Sequence, residues 1–67
     1  MTREEAIAYV ISTGNPIRHT FFEKDEYIRF DRTKRCLIDE DGVILPYNEF
    51  WSIRSGSYWE DGWSEVK

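Results

Sequence analysis

The sequence predicts one small α+β domain over residues 1–67, with an N-terminal helix packed on an antiparallel meander, a short second helix and a C-terminal strand. Three observations predict it. The chain opens on a helix-start signal followed by an apolar stripe at helical spacing. The period then changes to two across short segments separated by polar turns. A second helical stripe begins directly after a proline.

The first helix is expected from about Arg3 to Thr13. Thr2-Arg3-Glu4-Glu5 reads as a capping box, in which Thr2 caps the Glu5 amide while Glu5 reaches back to Thr2. Glu4 and Glu5 then sit at the positive end of the helix dipole. Ile7, Val10 and Ile11, with Ala6, form the inward stripe, and Gly14 followed by Pro16 ends the helix. Beyond Pro16, Ile17, His19 and Phe21 alternate with Arg18, Thr20 and Phe22, the pattern of a half-buried strand. Glu23-Lys24-Asp25-Glu26 is a polar turn. Tyr27 to Asp31 is a second strand, with Ile28 and Phe30 on one face and Tyr27 and Arg29 on the other. Asp31-Arg32-Thr33-Lys34 turns the chain into a third strand, Arg35 to Asp39, with Cys36 and Ile38 on one side. Asp41-Gly42 signals a hairpin into Val43-Ile44-Leu45. Pro46 ends the sheet and suits a first helical turn. Tyr47, Phe50, Trp51 and Arg54 then follow i, i+3, i+4, i+7 spacing, a short helix stopping near Gly56. Trp63 to Val66 reads as a last strand whose partner is left open.

A chain of 67 residues buries only about 60% of the surface its unfolded form exposes, so it needs dense packing or self-association. Cys36 is the only cysteine, which excludes an internal disulfide and fits a reducing compartment. With one Cys and one His, a structural zinc lacks its ligands. No signal peptide and no membrane span are expected, which leaves a soluble, cytoplasmic protein. The net charge of −4 argues against nucleic acid, although Arg29, Arg32, Lys34 and Arg35 form a basic stretch. That stretch reads first as solvated turns. A single-stranded nucleic acid, with Tyr27 or Phe22 stacking on bases, is the lower alternative.

Candidate chemistry is sparse. His19 has no nucleophile or carboxylate at a telling spacing, and reads as a strand residue whose ring is partly exposed. Cys36, inside Cys36-Leu37-Ile38, reads as a small buried hydrophobe. Asp39-Glu40-Asp41-Gly42 is too short for a calcium loop and reads as a hairpin turn. The four glycines are isolated, so no phosphate-binding loop is present. No enzyme, metal or cofactor is expected.

The aromatics are the most informative feature. Phe21, Phe22, Tyr27, Phe30, Tyr47, Phe50, Trp51, Tyr58, Trp59 and Trp63 exceed what one small core is expected to absorb. Phe30 and Phe50 belong to the core by pattern, and some of the others are expected at the surface, where Trp, Tyr and Arg anchor interfaces. The alternative is that every ring packs internally. The candidate binding residues are Arg18, His19, Phe22, Tyr27, Arg29, Trp51, Arg54, Trp59 and Trp63.

The pattern Glu5-Ala6-Ile7, Gly14-Asn15-Pro16-Ile17-Arg18-His19, Asp25-Glu26-Tyr27-Ile28, Glu40-Asp41-Gly42, Glu49-Phe50-Trp51 and Trp59-Glu60-Asp61-Gly62-Trp63 resembles small orphan proteins encoded by phages and prophages of gut bacteria. That family carries no assigned activity. More distantly, the layout is similar to the phage Thoeris anti-defence proteins of the second type. Those are multimers that sequester a cyclic nucleotide signal, and this chain is shorter than they are. The resemblance implies Arg18 and His19 at the family's basic position and Phe21 or Phe22 where it usually has Trp. The function expected first is a self-associating, non-enzymatic module that binds a protein partner through exposed aromatics. The alternative is sequestration of a nucleotide-like anion by Arg18, His19 and Arg54 with an aromatic stacked on the base.

Overall fold

The computed structural model describes residues 1–66. Its elements are α1 (Arg3–Thr13), β1 (Ile17–His19), β2 (Ile28–Asp31), β3 (Cys36–Asp39), β4 (Ile44–Leu45), α2 (Tyr47–Ser52), a 3₁₀ turn (Ser57–Trp59) and β5 (Trp63–Glu65). The strands form one antiparallel sheet in the order β4-β3-β2-β1-β5. The α+β class, the meander and the two helices are as the sequence predicts.

Helix α1 starts on the expected capping box, with Glu5 N–H donating to Thr2 Oγ1 at 3.1 Å and Thr2 N–H donating to Glu5 Oε1 at 2.9 Å. It ends at Gly14, whose φ of 71° places it in the left-handed region. Its inward stripe is narrower than expected. Ala6 and Val10 are buried, Ile7 is half-buried, and Ile11 lies at the surface.

Strand pairing defines two unlike sheet faces. Ile17 opposite Ile28, Phe30 opposite Leu37, and His19 opposite Trp63 lie on the face that meets α1 and α2. The residues between them, including Arg18, Arg29, Cys36, Ile38 and Ile44, lie on the other face. Cys36 is buried as expected, yet on this second face rather than in the core cluster.

Strand β1 is shorter than the alternation predicts. The Phe22 amide donates to the His19 carbonyl at 2.9 Å, so the chain turns immediately after His19. The turn reverses the expected sides: Phe22 points into the core and Phe21 into solvent. Strand β5 finds its partner on the outer edge of β1, with Arg18 opposite Ser64. The start of the chain brackets it, since Trp63 N–H donates to the Met1 carbonyl at 3.3 Å and Arg3 N–H to the Glu60 carbonyl at 2.8 Å.

Helix α2 follows Pro46 and buries Phe50 and Trp51. Its C-terminal end lacks a glycine cap. Arg3 supplies what the glycine would: Nε donates to the Arg54 carbonyl and a terminal nitrogen to the Trp51 carbonyl, both at 2.8 Å. One α1 side chain thereby fixes the second helix against the first.

Candidate functional site

The end of the sheet where β1 meets β5 gathers most of the aromatic residues. Trp63 is central, with ring centroids 4.8 Å from His19, 5.1 Å from Trp51, 5.7 Å from Phe22 and 6.0 Å from Trp59. Its indole N–H donates to the Trp59 carbonyl at 2.8 Å, which ties the 3₁₀ turn to β5. Tilted and edge-on geometries dominate, as the ring quadrupoles favour.

His19 is the hub of this cluster and is 1% exposed, which corrects the expectation of a partly exposed ring. The turn after β1 carries the neighbouring chain over it. Nδ1 accepts the Phe21 N–H at 3.0 Å, and Nε2 lies 2.7 Å from the Asp61 carbonyl. A carbonyl only accepts, so the ring proton sits on Nε2 and both nitrogens are occupied by backbone. His19 therefore holds two loops together and has no nitrogen free for a ligand. Gly62 completes the contact. A Cβ at this position would fall 2.9 Å from both His19 Nε2 and Thr20 Oγ1.

The expected binding residues divide into three groups. Phe22, Trp51 and Trp63 are buried along with His19 and present no ring to a partner. Trp59 is half-buried over His19, at 4.5 Å between ring centroids, and Arg54 lies 5.4 Å from the Trp59 ring and 4.0 Å from the Phe50 ring. Burial draws the Arg54 guanidinium below its ordinary pKa, and the charge of Glu26 acts in the opposite direction. Arg18 and Tyr27 line a different cleft beside Ser64 and Val66, while Arg29 stands on the sheet face opposite the core cluster. Arg18, His19 and Arg54 are thus not gathered around one cavity. Cys36 and His19 lie on opposite sheet faces.

The outer surface of the aromatic cluster is made instead by Phe21 and Tyr58, 61% and 76% exposed. Their rings stand 6.3 Å apart, and Phe21 meets Trp59 edge-on at 5.6 Å. Both belong to adjacent aromatic pairs, Phe21-Phe22 and Tyr58-Trp59, in which one ring turns in and the other out. An adjacent pair marks such a place in sequence. Which ring faces outward depends on the His19 turn and the 3₁₀ turn, which carry no Pro or Gly at their centres.

Asp39, Glu40 and Asp41 bring carboxylate oxygens within 4.8 Å of one another. They serve the turns around them. Asp39 Oδ1 accepts the amides of Asp41 and Val43, both at 2.9 Å, and Glu40 Oε1 accepts the Tyr27 amide at 3.3 Å.

Fold and site together define a small α+β domain with both helices on one sheet face and an exposed aromatic cap over a buried histidine. Comparison with protein-family models, curated proteins and solved structures finds no match to this chain. Among the described residues, no helix is long and apolar enough to cross a membrane.

Proposed function

We propose that this domain is a non-enzymatic, cytoplasmic interaction module of phage or prophage type, which self-associates and binds a protein partner through exposed aromatics. The observation that carries the reading is the Phe21–Tyr58 pair, held at the surface against the packed rings of Trp59 and His19. Large aromatic side chains on a fixed support lose little conformational freedom on binding, and such residues dominate interface energetics. The lone thiol at Cys36 supports a reducing compartment. The phage assignment rests on the sequence resemblance described above.

The test compares wild type with a Phe21→Ser/Tyr58→Ser double variant. Both side chains are exposed, so the variant is expected to melt within a few degrees of wild type. In quantitative pull-downs from bacterial lysate, a partner retained by wild type is expected to fall at least about tenfold with the variant. Native mass spectrometry of both proteins is expected to show a multimer for wild type. Equal capture by the two proteins refutes binding through this surface, and a bare monomer refutes self-association.

A further inference from the structure

A second surface lies on the other side of Arg54. Glu26, Asp39 and Glu49 stand around a groove of about 510 Å³ with Leu45, Phe50 and Ile53 among its apolar lining. Ile53 is 74% exposed, although it sits directly after a helix whose opposite side is buried. Arg54 is the only cation among the described lining residues, so three carboxylates against one guanidinium leave the groove net negative. The guanidinium lies on Phe50, and its buried Nε–H has no partner among the described residues.

We propose that this groove is a docking site for a basic peptide segment of a protein partner, with an apolar side chain against Leu45, Phe50 and Ile53 and a Lys or Arg facing the carboxylates. Charge complementarity selects the occupant. An acidic or phosphorylated segment would meet three like charges, which discriminates strongly against it. A peptide also suits the groove better than a simple amine, because its backbone carbonyls supply acceptors to the Arg54 guanidinium while its side chain supplies the cation. The carboxylates are not fully committed elsewhere. Glu26 Oε1 accepts the Glu23 amide and Asp39 Oδ1 accepts two turn amides, which leaves the second oxygen of each available, together with Glu49. This groove does not include Phe21 or Tyr58, so its occupancy stands or falls separately from the aromatic surface.

The experiment is an NMR titration of the ¹⁵N-labelled chain with three capped peptides: acetyl-Leu-Arg-Leu-Arg-amide, its Gln analogue and its Glu analogue. The basic peptide is expected to give saturable shifts at amides of β4 and α2, weakening as salt is raised. Glu49→Gln is expected to raise its dissociation constant about threefold and Glu49→Lys about tenfold. Phe21→Ser/Tyr58→Ser is expected to leave it unchanged. Glu49 and Ile53 are exposed, and Ile53→Ser, expected to weaken binding about fivefold, serves where the charge reversal disturbs the helix. Equal binding of the acidic peptide, no saturable shift at those amides, or unchanged affinity in Glu49→Lys and Ile53→Ser overturns the proposal.

Discussion

The two ends of the sheet are built by different means. At the β1–β5 end, residues far apart in sequence meet through rings and through side-chain bonds to backbone. His19 bonds Asp61, Trp63 bonds Trp59, and Arg3 bonds Trp51 and Arg54. At the β3–β4 end, the chain is held by its own ladder and by local carboxylate caps. Asp39 accepts two amides of the turn that follows it, and Asp31 Oδ1 accepts the amides of Thr33 and Lys34. The aliphatic residues here are partly left in solvent, with Val43 and Ile44 more than half exposed. Each local cap involves few neighbours, so damage there stays local. The aromatic end shares its parts, so one substitution disturbs several contacts together.

Substitutions at the two ends sharpen this difference. The largest effect is expected for Trp63→Ala, which removes a buried ring in contact with four others and should cost about 3–5 kcal/mol in urea denaturation. For a domain of this size such a loss approaches the whole folding free energy. A loss below about 1 kcal/mol would show that the aromatic end is not the stabilising half. Gly62→Ala comes next, at about 2–4 kcal/mol. Its φ of 97° strains any side chain, and the new Cβ would press on His19 Nε2 at 2.9 Å. A thermal melt reads this directly, and an unchanged midpoint would mean that the His19–Asp61 contact is dispensable.

At the opposite end the sign reverses. Arg35, between β2 and β3, has a φ of 54° in the left-handed region and an exposed side chain. Arg35→Gly is expected to stabilise by about 1 kcal/mol, because glycine adopts that conformation without penalty. A destabilised variant would mean that the Arg35 side chain contributes more than its backbone costs.

The smallest effect concerns Glu5 at the start of α1. The Thr2 amide and hydroxyl hold its carboxyl below the ordinary value of 4.5. A lowered pKa in the folded state contributes stability above the unfolded value, and that contribution is lost as pH falls through the folded value. Glu5→Gln resembles the protonated acid. It is expected to be slightly less stable than wild type at neutral pH, with the gap closing below the ordinary carboxylate range. A gap independent of pH across chemical melts would refute the charge-based account of the cap.

Much of the fold was legible in the residues. The bounds of α1 follow from Thr2, Glu5 and Gly14, which act within a few residues of one another. The meander follows from short turns that leave consecutive strands no distant choice. The stripe Tyr47, Phe50, Trp51 marked α2 and its buried side, although the helix ends at Ser52 rather than near Gly56 and leaves Arg54 beyond it. The candidate site was less legible. Trp59 and Arg54 were both among the candidates, but their proximity was not foreseen, and some of the aromatics were expected at the surface. The rings at the surface are Phe21 and Tyr58, while Phe22, Trp51 and Trp63 went inside. Periodicity fails there because the strand ends at His19, three residues before the expected alternation would. The groove acids come from three segments, so no local pattern joins Glu26, Asp39 and Glu49.

The sequence by itself therefore determined the α+β class, the first helix and its caps, the order of the meander and the amphipathic second helix. Each depends on propensity, capping or turn geometry, which act over a few bonds of chain. Tertiary structure alone decided that β5 lies against β1, that His19 is buried between two loops, that Arg3 caps α2, and which of two adjacent rings faces outward. The first three depend on contacts between residues more than forty positions apart, such as Arg3 with Arg54 and His19 with Asp61, and the ring choice on turns that the packed core selects. Such contacts are selected by the shape and hydrogen-bonding demand of the assembled core, which only the folded chain creates.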